Sequence, residues 1–194
     1  MKFKSFLLFV ITILLTSCQK EQQSEILPYI NLTVEGKAIK MDSVIAVYDD
    51  SAGVMSLIGA KYSGVELSNL IAIGFKFSTG VQAPKTYDAS KIPIEMMAIY
   101  RDSSGIYSTA KLDSLNNPDT PIGLGILNLT SHNLQLHTIA GNFDLRPKII
   151  NPQTWEPGTK TIQINGSFQS FYVFLARGGT PPVPMKIAPK ITIH

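Results

Sequence analysis

The chain has 194 residues, 44% of them hydrophobic and only 16% Asp, Glu, Lys or Arg, which suits one domain or at most two small ones and is too apolar for a disordered chain. The 17 basic and 14 acidic residues give a net charge of +3, but Lys2 and Lys4 lie in a leader. The remainder is nearly neutral and lacks the basic face that a nucleic-acid binder needs. A single cysteine, Cys18, leaves no partner for an intrachain disulfide and no thiolate metal cluster.

In chain order, Lys2 and Lys4 form a basic start, and Phe6 to Leu15 is an apolar run broken only by Thr12. A run of that length is too short to span a hydrocarbon core about 30 Å thick, so residues 1–17 read as a secretory signal. Leu15-Thr16-Ser17-Cys18 resembles the lipobox of bacterial lipoproteins, which implies cleavage before Cys18 and lipid on its sulfur. Each buried methylene is worth about 0.8 kcal/mol, so two or three acyl chains hold a protein on a bilayer for good. Residues 18–28 then read as the lipidated cysteine and a polar tether, whose ten positions after Cys18 reach about 33 Å when extended. Gln19-Lys20-Glu21 is similar to the export signal of Bacteroidota lipoproteins. That likeness implies the outer membrane, with the protein facing the cell exterior.

Residues 29–194 read as a single all-β domain. Ile71, Ile73, Phe75 and Phe77 alternate with Ala72, Gly74 and Lys76, and Ile122, Leu124 and Ile126 behave likewise. A period of two places successive side chains on opposite faces of a sheet. Glu35-Gly36, Asp49 to Gly53, Asp102 to Gly105, Ser131-His132-Asn133 and Pro157-Gly158 supply turn chemistry between the runs. The spacing predicts an antiparallel β-sandwich of about 10–11 strands, near 29–34, 37–41, 43–49, 54–61, 69–77, 85–88, 92–101, 106–111, 121–130, 134–145 and 160–176. A further candidate is 185–193, with Pro189 confining it to an edge. Residues 90–100 also present Ile92, Met96 and Ile99 at helical spacing, but Pro93 and the β-branched content favour strand.

Ile139-Ala140-Gly141-Asn142-Phe143 and Ile164-Asn165-Gly166-Ser167-Phe168 share the pattern Ile-x-Gly-x-Phe. The pattern predicts two strands in equivalent roles, each glycine allowing a close approach and each phenylalanine buried. Gly36-Lys37 after a first strand, Tyr87, Gly125 to Thr130 and Ile139 to Leu145 together resemble small lipid-anchored β-sandwich lipoproteins of Bacteroidota. The likeness covers residues 29–145. Those proteins are largely of unknown function, so the resemblance implies a fold and an address but no catalytic residues.

Chemistry is sparse. There is no Gly-x-Ser-x-Gly elbow, and Cys18 is committed to lipid. His132 is expected in a turn and His137 on the outward side of a strand, both in solvent and neither a metal ligand. Asp113 to Asp119 is rich in oxygen ligands but lacks the glycine and closing glutamate of an EF-hand loop, and reads as a polar loop. Gly123-Leu124-Gly125 has no helix after it and is no phosphate loop. Ser43, Ser51 and Ser114, each preceded by Asp, match the pattern that Bacteroidota O-glycosylation resembles. Trp155, the only tryptophan, is a candidate ligand contact, although an indole folded over the end of the domain is the commoner outcome.

The sequence therefore predicts a non-enzymatic, surface-exposed outer-membrane lipoprotein serving as a binding or structural module. Its partners are the membrane, through the anchor, and a glycan or protein ligand; no cofactor, metal or nucleic acid is expected. A glycan-binding accessory role through Trp155 is the first alternative, and an unrecognised hydrolase with an acid beside a histidine is the second.

Overall fold

The computed structural model describes residues 27–112 and 118–175. The signal segment, Cys18, Gln19, Lys20, Glu21, Ser114 and the candidate strand 185–193 lie outside the described residues. Every regular element described is a strand: β1 (Tyr29–Val34), β2 (Lys37–Lys40), β3 (Ser43–Asp49), β4 (Val54–Ser63), β5 (Glu66–Lys76), β6 (Lys85–Asp88), β7 (Met96–Asp102), β8 (Gly105–Ser108), β9 (Ala110–Leu112), β10 (Pro118–Pro121), β11 (Leu124–Asn133), β12 (Thr138–Arg146), β13 (Lys148–Ile150), β14 (Pro157–Thr161) and β15 (Ile164–Phe174). The all-β expectation holds. The count is higher than expected because several long runs are cut. Residues 106–111 divide around Thr109, residues 160–176 divide before Ile164, and the short β13 carried too little pattern to be foreseen.

Thirteen strands form one large curled sheet, while β9 and β10 make a separate ribbon. The path runs β14-β13-β8-β7-β5-β4-β3-β15-β12-β11-β6, with β1 and β2 branching from β15. All pairings are antiparallel except β15 with β3, where Tyr172, Val173 and Phe174 run alongside Ala46, Val47 and Tyr48. Strand β15 belongs to both halves of the sheet. Its first residues lie between β12 and β1, and its last three join β3.

The two halves curl over a shared core. Phe75 of β5 meets Tyr87 of β6 with ring centroids 4.9 Å apart. Gly59 of β4 is crowded by Ile30 and Met41, so that a Cβ there would lie 2.9 Å from each. Leu57, Ile71, Ile164 and Leu127 are all fully buried. The turns sort to two ends. Glu35-Gly36, Gly64-Val65 and Ser103-Ser104 close β1–β2, β4–β5 and β7–β8 at one end. The β3–β4 and β11–β12 turns and the exit of β15 lie at the other. In the first of these turns Glu35 and Gly36 both have positive φ, 47° and 80°, as a type I′ hairpin demands.

The repeated Ile-x-Gly-x-Phe pattern becomes a reciprocal lock. Across β12 and β15, Gly141 pairs with Phe168 and Phe143 pairs with Gly166. Each ring lies over the other strand's glycine, and the two rings stack at 6.5 Å with 21° between planes. A Cβ on Gly141 would come within 2.8 Å of the Phe168 ring, and one on Gly166 would collide with the Phe143 ring. Both phenylalanines are buried. Phe143→Ala or Phe168→Ala should each destabilise the fold by about 3–5 kcal/mol in denaturant titrations. A loss below about 1 kcal/mol, the scale of a surface change, would show that the lock does not hold the sheet together.

Candidate functional site

A cleft of about 750 Å³ opens at the end where the β1–β2, β4–β5 and β7–β8 turns meet β14, within the usual size range of ligand pockets. The adjacency of strands places these turns side by side, so residues far apart in sequence share one rim: Glu35, Lys37, Glu66, Asn69, Arg101, Asp102 and Lys160. Tyr100, itself buried, forms part of the floor. The Asn69 side-chain amide donates to the Tyr100 hydroxyl at 2.8 Å.

Two of the three acids of this cleft, Asp102 and Glu35, are committed to its framework, whereas Glu66 stands on the rim with no ion pair among the described residues. Asp102 Oδ1 accepts from the backbone N–H of Ser104 at 2.8 Å and from the Ser104 hydroxyl at 2.7 Å. The Ser104 and Tyr107 hydroxyls are 2.8 Å apart, and the Lys160 ammonium lies 5.4 Å from the centroid of the Tyr107 ring. Ser104 thus links Tyr107 to Asp102. The neighbouring Tyr107 holds the Lys160 ammonium above its ordinary value. Glu35 accepts through Oε1 from the backbone N–H of Gln163, while its own N–H donates to the Gln163 carbonyl at 3.0 Å. These bonds hold a non-glycine residue in left-handed backbone at the rim, a conformation that persists only when its surroundings enforce it.

The cations differ. The only ion pairs among the described residues are Lys91–Glu95 and Lys111–Glu156. Lys37 and Arg101 therefore line the cleft with no carboxylate within bridging distance among the described residues.

The residues singled out from sequence do not gather here. Trp155 lies in the loop after β13, half-buried with φ 59°, its N–H donating to the Asn151 carbonyl at 2.8 Å; it is not part of the cleft. Ser51 is exposed in the β3–β4 turn, but its hydroxyl donates to Asp49 Oδ1 at 2.6 Å. That bond, first among several, holds the Asp49 carboxyl below its ordinary value. Ser43 begins β3 and is half-buried.

The two histidines exchange their expected places. His132 lies within β11, half-buried, with Nδ1 3.0 Å from the Val81 carbonyl oxygen and Nε2 3.1 Å from the Tyr172 hydroxyl. It packs edge-on against Phe77 beside a second hollow of about 460 Å³. His137 sits in the β11–β12 turn with φ 49°. Leu134 and Leu136 imitate strand alternation, but the N–H of Leu136 donates to the Asn133 side chain at 3.0 Å and makes a turn. Among the described residues, no group of three His, Cys, Asp or Glu side chains is placed to hold a metal.

Sequence reasoning did not find Lys37, Asn69, Arg101 or Lys160. Their signal is the recurrence of polar residues flanking turns at the same end of successive hairpins, which is visible only once strand order is known. No protein-family model, curated protein or solved structure matches this chain.

Burial pushes the Tyr100 hydroxyl up to about 12, with the Asn69 bond opposing and Asp102 adding. Tyr87, whose hydroxyl is buried without a partner, is also pushed up to about 12, by burial first and then by Glu95. Both phenols start from 10.0 when unfolded. The folded protein therefore holds these protons more tightly. Stability is full below pH 10 and falls from there to about pH 12, by roughly 2–3 kcal/mol per phenol. Denaturation midpoints measured across that interval should fall less steeply in Tyr100→Phe. An unchanged slope would contradict the assignment.

Proposed function

We propose that this protein is a non-enzymatic binding module held on the outer membrane by a lipidated Cys18, and that the cleft is where its ligand sits. The observation that carries the reading is the direction of β1. Tyr29, next to the tether root, pairs with Gln169, whereas Val34 pairs with Ile164 at the cleft end. Five residues at about 3.3 Å each place the cleft roughly 17 Å further along the strand from the point where the tether joins. An anchored domain so oriented turns its cleft away from the bilayer, as capture of an external ligand requires. Gln19, Lys20 and Glu21 supply the export signal that puts the domain on the cell exterior.

The charges define the ligand class. Asp102 and Glu35 are committed to internal hydrogen bonds, while Lys37, Arg101 and Glu66 make no ion pair among the described residues, which sets two cations against one acid. The hydroxyls of Ser63, Ser68 and Ser103 complete a polar wall. Such a lining suits a polyhydroxylated ligand carrying carboxylate or phosphate groups, with Arg101 able to make two parallel bonds to either. The committed acids favour holding a ligand over transforming it. The glycan reading thus moves from Trp155 to the cleft.

Two measurements test this. Cys18→Ala should move the protein from the membrane to the soluble fraction with its fold intact, and continued membrane retention would sink the anchor. Calorimetric titration with acidic and neutral oligosaccharides should show selective binding of the acidic ones. Lys37→Ala combined with Arg101→Ala should weaken that binding at least about tenfold, equivalent to 1.4 kcal/mol, while Trp155→Ala leaves it unchanged. The reverse pattern would place the site on the indole.

A further inference from the structure

The outer face of the half-sheet β3-β4-β5-β7 is apolar, although its inner face already packs the core. Ile45, Ile58, Ala72 and Ile99 form one cross-strand row, and Val47, Ser56, Gly74 and Met97 form the next. Antiparallel strands with one solvated face normally alternate apolar with polar, and contiguous apolar surface marks a place where something docks. The face is not flat. Ala72 and Gly74 of β5 lie low between Ile58 on one side and Met97 and Ile99 on the other. A Cβ built on Gly74 would meet only Val54, at 4.0 Å. The result is a trough along β5, open at its floor.

We propose that residues 185–194 of this same chain occupy the trough. Two observations select this occupant. The chain leaves β15 at Leu175, whose N–H bonds to the Tyr48 carbonyl of β3 at 2.9 Å, at the edge of the half-sheet that carries the trough. From β15 to β5 is three strand spacings, about 14 Å, and residues 176–184 can reach about 30 Å. The pattern also matches. Met185, Ile187, Ile191 and Ile193 fall on one side of an extended segment, with Lys186, Lys190 and Thr192 on the other. Ten extended residues span about 33 Å, comparable to the eleven-residue β5. Apolar side chains two residues apart would then face rows of aliphatic side chains repeating at the same interval, leaving the lysines in water. This inference is independent of the cleft and of the anchor.

Paired cysteines in the full chain provide the test. Ile191→Cys is combined in turn with Leu70→Cys, Ala72→Cys and Gly74→Cys along the trough, and with Asn31→Cys on the outer face of the other half-sheet as control. Under mild oxidation, a disulfide within one chain to at least one trough position, and none to position 31, is expected; peptide mass spectrometry identifies the bond. Disulfides between two chains at the trough positions would mean that a second copy covers the face, and would overturn the proposal. So would the absence of any trough disulfide. Gly74→Leu is the second variant, because the space above Gly74 admits a side chain without disturbing the core. It should fill the trough and speed amide exchange in residues 185–194 at least about tenfold, leaving β4 and β5 protected. Unchanged exchange in that segment would also overturn the proposal.

Discussion

One exchange of side chains governs this molecule: each of two phenylalanines lies over a glycine of the neighbouring strand. Phe143 over Gly166 and Phe168 over Gly141 fix the register of β12 against β15, because a slip of one residue would turn both rings to solvent and bring both glycines out of place. Register matters more at β15 than elsewhere, since this strand serves both halves of the sheet. Its first residues carry β1 and β12, and its last three carry β3. Once β15 is fixed, so are the curl of the sheet, the closure over Leu57, Ile71 and Leu127, and the end at which each hairpin turns.

The cleft is a consequence of that geometry. Three hairpins end side by side, and their turns are built by side chains that accept backbone N–H groups. Asp102 caps its own turn through Ser104, and Glu35 spends its carboxylate on Gln163. Asp49 with Ser51 and Asp88 with Ser90 repeat the same Asp-x-Ser device at other turns. Using carboxylates as turn acceptors has an electrostatic effect: N–H and O–H dipoles partly offset the charges of Asp102 and Glu35, whereas Lys37, Arg101 and Glu66 make no ion pair among the described residues.

Much of the fold was legible because local and tertiary demands agree. The bounds of β1, β3 and β6 match the sequence reading to the residue, since each is flanked by turn chemistry and has a buried alternate face. The Ile-x-Gly-x-Phe echo announced two equivalent strands, and the structure pairs them. Failures arose where apolar alternation continued into a turn. Ile92 and Ile94 extend the pattern of β7, yet the strand begins at Met96 and Ile92 is 81% exposed. Leu134 and Leu136 do the same ahead of β12 and are half-exposed in the turn. Alternation records side-chain direction and not hydrogen bonding, so it cannot show where a ladder stops. The cleft was illegible for a different reason. Lys37, Asn69, Arg101 and Lys160 come from four strands, and only the order of the sheet makes them neighbours.

The two halves of the sheet also differ in a way that composition alone conceals. In β12 exposed and buried positions alternate cleanly, with Asn142, Asp144 and Arg146 facing outward, while β11 alternates as far as Leu129 and turns Leu124 and Ile126 outward among polar residues. In β3, β4, β5 and β7 the outward positions include Ile45, Val47, Ile58, Ala72, Met97 and Ile99, with Ser56 among them. Runs such as Leu70-Ile71-Ala72-Ile73 and Met96-Met97-Ala98-Ile99 are what a strand buried on both faces requires. Solvent imposes a cost on such a face and gives no reason for its small residues. Ala72 and Gly74 along one strand, walled by larger aliphatic side chains on its neighbours, form a shape and not merely a composition, and shape complementarity has value only against another surface. The outer face of β3-β4-β5-β7 is thus shaped to receive a further surface, which is why its pattern departs from that of β12.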